Sequence, residues 1–136
     1  MTLVRILGNP IPLRRARATH NRFYDPQFEA KKNWASEFME LFKKASESSE
    51  TLPVSCPIII TVIFTFSMPK SWSKKKKALM LNRPHTQKPD IDNCLKFCFD
   101  ALNEKLWLDD SQIFQVTSKK IWDTEGSTTV IVEKYD

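Results

Sequence analysis

The chain passes from a basic loop into an acidic helix at Lys88-Pro89-Asp90-Ile91-Asp92-Asn93-Cys94-Leu95-Lys96. Proline suits the entry to a helix because it has no backbone N–H to donate and disfavours helical backbone at the residue before it. Apolar residues then recur at steps of three and four from Ile91 to Glu104, which predicts a long amphipathic helix. Asp90 should lie near its N-cap, where the helix dipole favours a carboxylate.

A second acidic pair follows this helix in Trp107-Leu108-Asp109-Asp110. The apolar residues before the pair should anchor it against the core. Beyond the pair, the pattern predicts a strand from about Gln112 to Trp122 and a last strand from Thr128 to Tyr135. Because only a short polar link separates these strands, we expect them to form an antiparallel hairpin.

The clearest strand precedes the basic loop, from Ile58 to Phe66, and is apolar on both alternating faces. This pattern predicts a central strand with cover on each side. A first strand at or near a sheet edge is predicted over Thr2–Leu7, and a long helix should begin at Asp25-Pro26. The chain is therefore predicted to be one α+β domain, residues 1–136, of order β-α-β-α-β-β with a mixed sheet and two main helices.

The composition favours a polyanionic partner. The 136 residues contain 21 Lys and Arg against 16 Asp and Glu, which gives a formal net charge of +5 and a pI near 9.2. An excess of this sign attracts nucleic acid. With only two glycines, the chain has no Gly-rich loop of the kind that cradles nucleotide phosphates, so we expect no nucleotide cofactor.

Two basic segments are the candidates for nucleic-acid contact, one between the first strand and the first helix and one just before the acidic helix. A run of like charge is usually a solvated face, and that alternative stays open for both segments. Their position beside the carboxylates favours contact with phosphates. The candidate nucleic-acid-binding residues are Arg14, Arg15, Arg17, Lys74, Lys75, Lys76, Lys77, His85 and Lys88.

The cysteines indicate a reducing compartment, because their number is odd and their spacing fits no disulfide framework. Cys94 and Cys98 are one helical turn apart and are expected in the core. The alternative is a zinc site completed by Cys56 or His85. We find no signal peptide and no apolar run long enough to span a bilayer, so the protein is expected to be cytoplasmic and free of membranes.

The concentration of aspartates has two explanations. The first is helix capping and turn chemistry, which a short Asp-x-Asp motif alone favours. The second is a Mg²⁺ site, since this ion prefers carboxylate oxygens and water and takes one or two protein carboxylates. Lys96 lies one turn after Asp92 and could pair with that carboxylate or neutralise charge on a phosphate.

Several motifs at fixed spacing resemble one known family. They are Lys88-Pro89-Asp90-Ile91-Asp92-Asn93, Leu95-Lys96, Asp100-Ala101-Leu102-Asn103 and Trp107-Leu108-Asp109-Asp110-Ser111-Gln112-Ile113. Together they resemble the RusA family of Holliday junction resolvases. The segment Pro69-Lys70-Ser71-Trp72-Ser73 resembles members of phage or prophage type. The likeness extends over about Pro57–Trp122, and the N-terminal third matches in layout only.

The resemblance implies a small homodimeric endodeoxyribonuclease that resolves four-way DNA junctions by paired nicks, with Mg²⁺ as cofactor and Mn²⁺ as its substitute. By the same resemblance, Asp90, Asp92 and Asp110 correspond to the metal-binding catalytic aspartates and Lys96 to the catalytic lysine. Asp109 lies beside this set as a metal neighbour. Some members carry an arginine immediately before the first aspartate, where this chain has Pro89.

Three other hypotheses remain at this point. One is a metal-dependent nuclease that acts on flaps, forks or duplex ends. The second is a DNA-binding module without catalytic activity, in which the aspartates only cap a helix. The third is a structural zinc domain built on Cys94 and Cys98.

Overall fold

The computed structural model describes residues 1–14, 17–19, 22–46 and 51–135, which have an α+β fold. Within these residues the main elements follow the predicted order β-α-β-α-β-β, and a short helix and two short strands are added to it. The helices are α1 (Phe28–Ala45), α2 (Lys74–Met80) and α3 (Ile91–Leu102), and the strands are β1 (Thr2–Leu7), β2 (Arg17–Thr19), β3 (Arg22–Tyr24), β4 (Ile58–Ser67), β5 (Ile113–Asp123) and β6 (Ser127–Lys134).

The main sheet has the strand order β1-β6-β4-β5 in the described residues. β5 pairs with β4 in parallel, whereas β6 pairs antiparallel with both β4 and β1. β1 is thus an edge strand, as predicted. β2 and β3 pair with each other in a separate two-stranded ribbon.

The predicted hairpin between the last two strands is wrong. β4 lies between them, since Ile58 pairs with Ile113 of β5 on one side and with Lys134 of β6 on the other. The segment that connects β5 to β6 passes the end of β4, where the Gly126 carbonyl accepts a hydrogen bond from the Gly8 N–H. A Cβ at Gly126 would lie 2.8 Å from the Asn9 Cα and 2.1 Å from the Asn9 side chain, so a larger residue at this crossing would force the Asn9 backbone to shift. Alternation predicts a strand but does not say which neighbour it pairs with.

β4 is central, as predicted, but its two faces are covered unequally. On one face Ile58, Ile60 and Val62 are fully buried, and on the other Ile59 and Ile63 are only half-buried. α1 packs on β1 and on α3, and α3 also contacts β5. The expected cover on both sides is therefore found on one side only, in the part of the chain that the structure describes.

α1 begins at Phe28, shortly after the predicted start at Asp25-Pro26, and the Phe28 side chain is 62% exposed. Its buried face consists of Trp34, Ala35, Phe38 and Phe42. The Trp34 ring meets Phe97 of α3 edge to face, with centroids 6.0 Å apart. Aromatic contacts of this kind stabilise the packing beyond the area they bury.

Cys94 and Cys98 lie in the core, as predicted. Burial raises the pKa of the Cys94 thiol to about 11 and that of Cys98 further. No group of three His, Cys, Asp or Glu side chains in the described residues completes a site around these two buried thiols, which disfavours the zinc hypothesis. Among the residues that the structure describes, no helix is both long and apolar enough to cross a membrane.

Because the two faces of β4 are buried unequally, shortening a side chain on each face should lower the free energy of unfolding by different amounts. Ile60→Ala should lower the free energy of unfolding by about 2–5 kcal/mol, because it removes a fully buried side chain and leaves a cavity. Ile63→Ala, in the same strand, should cost less than about 2 kcal/mol because Ile63 is already partly hydrated. Chemical denaturation measures both. Equal losses for the two variants would contradict the assignment of the buried face.

Candidate active site

Asp90 occupies the N-cap position of α3, as predicted, yet its side chain makes no capping hydrogen bond. The carboxylate instead accepts hydrogen bonds of 3.0 and 3.2 Å from Lys88 Nζ. Both side chains are largely exposed, so the pair contributes little to stability and is easily exchanged for other partners. Helix capping therefore does not account for Asp90.

Asp92 lies in the first turn of α3 and pairs with Lys96 one turn later, with Lys96 Nζ 3.7 Å from the carboxylate. The two side chains are 64% and 60% exposed. An exposed pair of this geometry contributes only a few tenths of a kcal/mol, about 0.3–0.5. Each group thus remains available to a substrate or an ion.

The entry to α3 is fixed to β5 by Lys120. Its ammonium donates hydrogen bonds of 2.6 and 2.5 Å to the carbonyls of Gln87 and Pro89. The sequence alone did not identify this residue, because the lysine of a strand and the carbonyls of a loop leave no spacing signal. Lys120 places Asp90 relative to the sheet.

Asp109 and Asp110 have different roles. Asp109 caps the one-turn 3₁₀ helix Asp110–Gln112: its carboxylate accepts the Ser111 N–H at 3.0 Å, and the Gln112 side chain accepts the Asp109 N–H at 2.9 Å. The hydrogen bonds from Ser111 lower the pKa of Asp109 below its usual range. This capping box explains Asp109 without a metal.

Asp110 is held by the indole of Trp107, whose Nε1–H donates a hydrogen bond of 2.7 Å to the carboxylate. Trp107 is fully buried, so this donor is rigidly placed. Partial burial raises the pKa of Asp110, the bond from Trp107 opposes the rise, and the charges of Asp109 and Asp100 add to it. A rigid, partly desolvated carboxylate is typical of a functional site.

Asp110 and Lys96 line one pocket of about 440 Å³. Lys96 therefore connects the two acidic groups, because it pairs with Asp92 and also faces the pocket of Asp110. Asp100, one turn after Lys96 on α3, adds a carboxylate to which the sequence alone assigned no role. The pocket is lined by Leu13, Arg14, Asp25, Lys31, Lys96, Phe99, Asp100 and Asp110.

No three Asp, Glu, His or Cys side chains within the described parts of the chain form a group that could hold a metal ion. Asp90, Asp92 and Asp110 instead have Lys88, Lys96 and Trp107 as partners. The donor chemistry still fits Mg²⁺, since the three residues offer hard carboxylate oxygens and this ion needs only one or two of them. Joint ligation by the three aspartates stays a prediction.

The lysine run forms α2, whose N-cap Ser73 accepts a hydrogen bond from the Lys76 N–H. No residue of this helix is buried. The Lys76 ammonium lies 4.3 Å from the centre of the Trp72 ring. Lys74 and Lys75, at the helix N-terminus, gain nothing from the helix dipole, so helix stability does not explain these two lysines.

His85 is not accessible to DNA, which corrects its assignment as a DNA-binding residue. It is 6% exposed, and its ring lies 4.0 Å from Phe66 and 4.2 Å from Trp122 between centroids. Burial and the nearby charge of Lys120 lower its pKa. His85 and its aromatic neighbours anchor the basic segment to the sheet, which the sequence could not reveal because these residues are far apart along the chain.

The arginine segment is only partly described. Arg14 is exposed and lines the pocket of Asp110, Arg17 begins β2, and Arg15 lies outside the described residues. The backbone before the segment is held in place: the Arg14 N–H donates to the Gln27 side chain at 2.7 Å, and the Gln27 amide donates to the Pro12 carbonyl at 2.8 Å. Gln27 was not identified from the sequence.

Comparison with known proteins is consistent with this site. The family model for endodeoxyribonuclease RusA matches residues 8–133, a range that includes Asp90, Asp92, Lys96 and Asp110. The chain is also 31% identical over 135 residues to the uncharacterized protein YqaN of Bacillus subtilis (strain 168), an alignment that covers 95% of this chain and 93% of that protein. The chain belongs to the RusA endodeoxyribonuclease family.

Proposed function

We propose that the protein is a Mg²⁺-dependent, structure-specific endodeoxyribonuclease that resolves four-way DNA junctions during recombination and repair. The observation that carries this proposal is the row Asp92, Lys96 and Asp100 along α3. Lys96 pairs with Asp92 and shares a pocket with the rigid carboxylate of Asp110. Neither capping nor core packing requires such a row on an exposed helix face.

Asp90, Asp92 and Asp110 are the proposed metal ligands, with Mn²⁺ able to replace Mg²⁺. When bound, a divalent ion of this kind activates the attacking water and stabilises the leaving oxygen of a phosphodiester. Lys88 and Lys96 pair with two of the three carboxylates. This pairing supports the proposal, because the site then keeps no large uncompensated negative charge that would repel DNA.

Lys96 is the proposed catalytic lysine. Its weak pair with Asp92 lets the ammonium turn to a phosphate oxygen that enters the pocket of Asp110. An ammonium at this place stabilises negative charge that develops on the phosphate in the transition state. Arg14, on the same pocket, is a second cation that can orient the backbone.

We propose that the lysines of α2 contact the phosphates of the DNA backbone. Lys74, Lys75 and Lys76 are exposed and Lys77 is half-buried. The segment that follows α2 is fixed to the end of β5 by three backbone hydrogen bonds, Asn82 N–H to Trp122, Trp122 N–H to Arg83 and His85 N–H to Lys120. The same segment leads to Lys88 and Asp90. Phosphate contacts position a protein without reading sequence, so selectivity for a junction would come from its branched shape.

A homodimer and a cytoplasmic location complete the proposal. Two symmetric nicks in a four-way junction require two active sites, which a two-fold dimer supplies. Free Cys56, Cys94 and Cys98 suit a reducing compartment. Sedimentation of the purified chain measures the oligomeric state.

Asp92→Asn should abolish junction cleavage because the amide removes a charged oxygen ligand. We expect the single-turnover rate on a synthetic four-way junction with Mg²⁺ to fall at least about 100-fold. Glu37→Gln, which removes the same charge from an exposed position on α1, is the matched control and should cleave like the wild type.

Linear duplex, flap and fork substrates belong in the same assay. Preference for flaps or forks over the four-way junction would favour another branched-DNA nuclease. Normal folding of Asp92→Asn with undiminished cleavage would favour a binding module without catalysis by these aspartates.

Asp109 and Asp110 should respond differently to substitution. Asp110→Asn keeps an acceptor for the Trp107 indole but removes the charge, so we expect it to fold normally and lose cleavage by at least about 100-fold. Asp109→Ala removes the cap and a charge beside Asp110 but no group that lines the pocket of Asp110, so it should melt at a lower temperature and retain most of its cleavage. Thermal melts and the junction assay test both, and the opposite pattern would exchange the two assignments.

The lysines of α2 should contribute to binding in proportion to the DNA phosphates that they neutralise. Replacing Lys74, Lys75, Lys76 and Lys77 by glutamine should lower the salt slope of log Kd on duplex DNA by roughly 0.9 for each phosphate that the variant no longer neutralises. Fluorescence anisotropy across a salt series measures the slope. An unaltered slope would show that α2 is a solvated face.

A further inference from the structure

Lys31 bridges two carboxylates that belong to distant parts of the chain. Its ammonium lies 2.6 Å from Asp25, just before α1, and 2.5 Å from Asp100 in α3. The Lys31 side chain is only 13% exposed. Burial disfavours its charge, but the hydrogen bonds to Asp100 and Asp25 outweigh that effect and hold the pKa of Lys31 above its ordinary value. The ammonium is therefore a permanent cation of this bridge.

The bridge lies where both flanks of the β2–β3 ribbon reach the body of the protein. On the incoming flank, the Leu13 N–H donates to the Asn93 carbonyl of α3 at 2.8 Å, and Gln27 holds Arg14. On the outgoing flank, Asp25 follows β3 directly and accepts the Gln27 N–H at 2.8 Å. An isolated two-stranded ribbon is at best marginally stable, so these flanks govern its placement.

The same bridge borders the proposed site. Lys31, Asp25 and Asp100 line the pocket that also contains Lys96 and Asp110. Asp100 is one helical turn from Lys96, and its charge acts on Asp110. A shift of Asp100 or of the Asp25 flank would therefore change the geometry of the pocket directly.

We infer that Lys31 is a positioning residue for cleavage: by joining Asp25 to Asp100 it holds Arg14 and the base of the ribbon against α3, and so fixes how the DNA backbone meets Lys96 and Asp110. This inference rests on the proposed function. Without the ammonium, Asp25 and Asp100 repel each other at the base of the ribbon. The pocket then opens, although no group that touches the phosphate has been removed.

The test compares Lys31→Met with Lys32→Met. Lys32 is the adjacent, exposed residue of α1, so both variants lose one positive charge from almost the same place. At saturating four-way junction, Lys31→Met should slow single-turnover cleavage by about 100-fold, as expected for a misplaced phosphate. Lys32→Met should stay within about twofold of wild type. Lys31→Arg, which can also bridge two carboxylates, should restore most of the rate.

The variant Asp100→Asn distinguishes a positioning role of the Lys31 bridge from an effect of net charge on DNA binding. Loss of a negative charge should strengthen DNA binding if only net charge matters, whereas loss of the bridge should weaken binding and slow cleavage. In the Asp100→Asn background, Lys31→Met should add little further effect, because the two residues act through one interaction. Full and independent effects of both substitutions would contradict the inference.

Limited trypsin digestion provides a readout that does not depend on nuclease activity. Lys31→Met should be cut faster than Lys32→Met between Arg14 and Arg22, while urea unfolding reports the stability of the whole domain. If wild type fails to cleave junctions but the digestion differs as expected, the proposed function fails and the anchoring role stands. If wild type cleaves and the two lysine variants behave alike, the inference about Lys31 is wrong.

Discussion

The parallel pairing of β4 with β5 is the constraint on which the arrangement of the acidic residues depends. Because β4 and β5 are parallel, the chain must run back to the starting end of the sheet after β4 and before β5, and α3 makes this crossover. The helix therefore begins beside Lys120, late in β5, and Asp110 follows its far end, just before β5. Lys96, midway along α3, is the residue that links both acidic groups.

Charge balance then explains how an acidic row can lie on the face that we propose binds DNA. Each carboxylate of α3 and its N-cap has a cationic partner: Lys88 for Asp90, Lys96 for Asp92 and Lys31 for Asp100. Asp110, beyond the helix, has the Trp107 N–H as its partner. The pairs of Lys88 and Lys96 are exposed and weak, whereas those of Lys31 and Trp107 are partly or fully buried. The first two partners can thus exchange with phosphate or metal, and the last two hold the geometry.

The sequence predicted the periodic elements well, because hydrophobic alternation and helical spacing record which face is buried. β1, β4 and the start of α3 lie where the pattern placed them. The pattern could not predict that β5 and β6 lie on opposite sides of β4, since strand neighbours depend on the whole chain. His85 and Lys31 were missed or misassigned for the same reason: their partners, Phe66 and Trp122 for one and Asp100 for the other, are remote in sequence.

The most direct test of the central claim, that Asp92 and Asp110 belong to one metal site, is the affinity of the full chain for Mn²⁺. Electron paramagnetic resonance of free Mn²⁺ gives the dissociation constant for wild type, Asp92→Asn, Asp110→Asn and the control Glu37→Gln. The account predicts that each aspartate variant weakens binding by at least about tenfold while the control matches wild type. Wild-type affinity in both aspartate variants would contradict it.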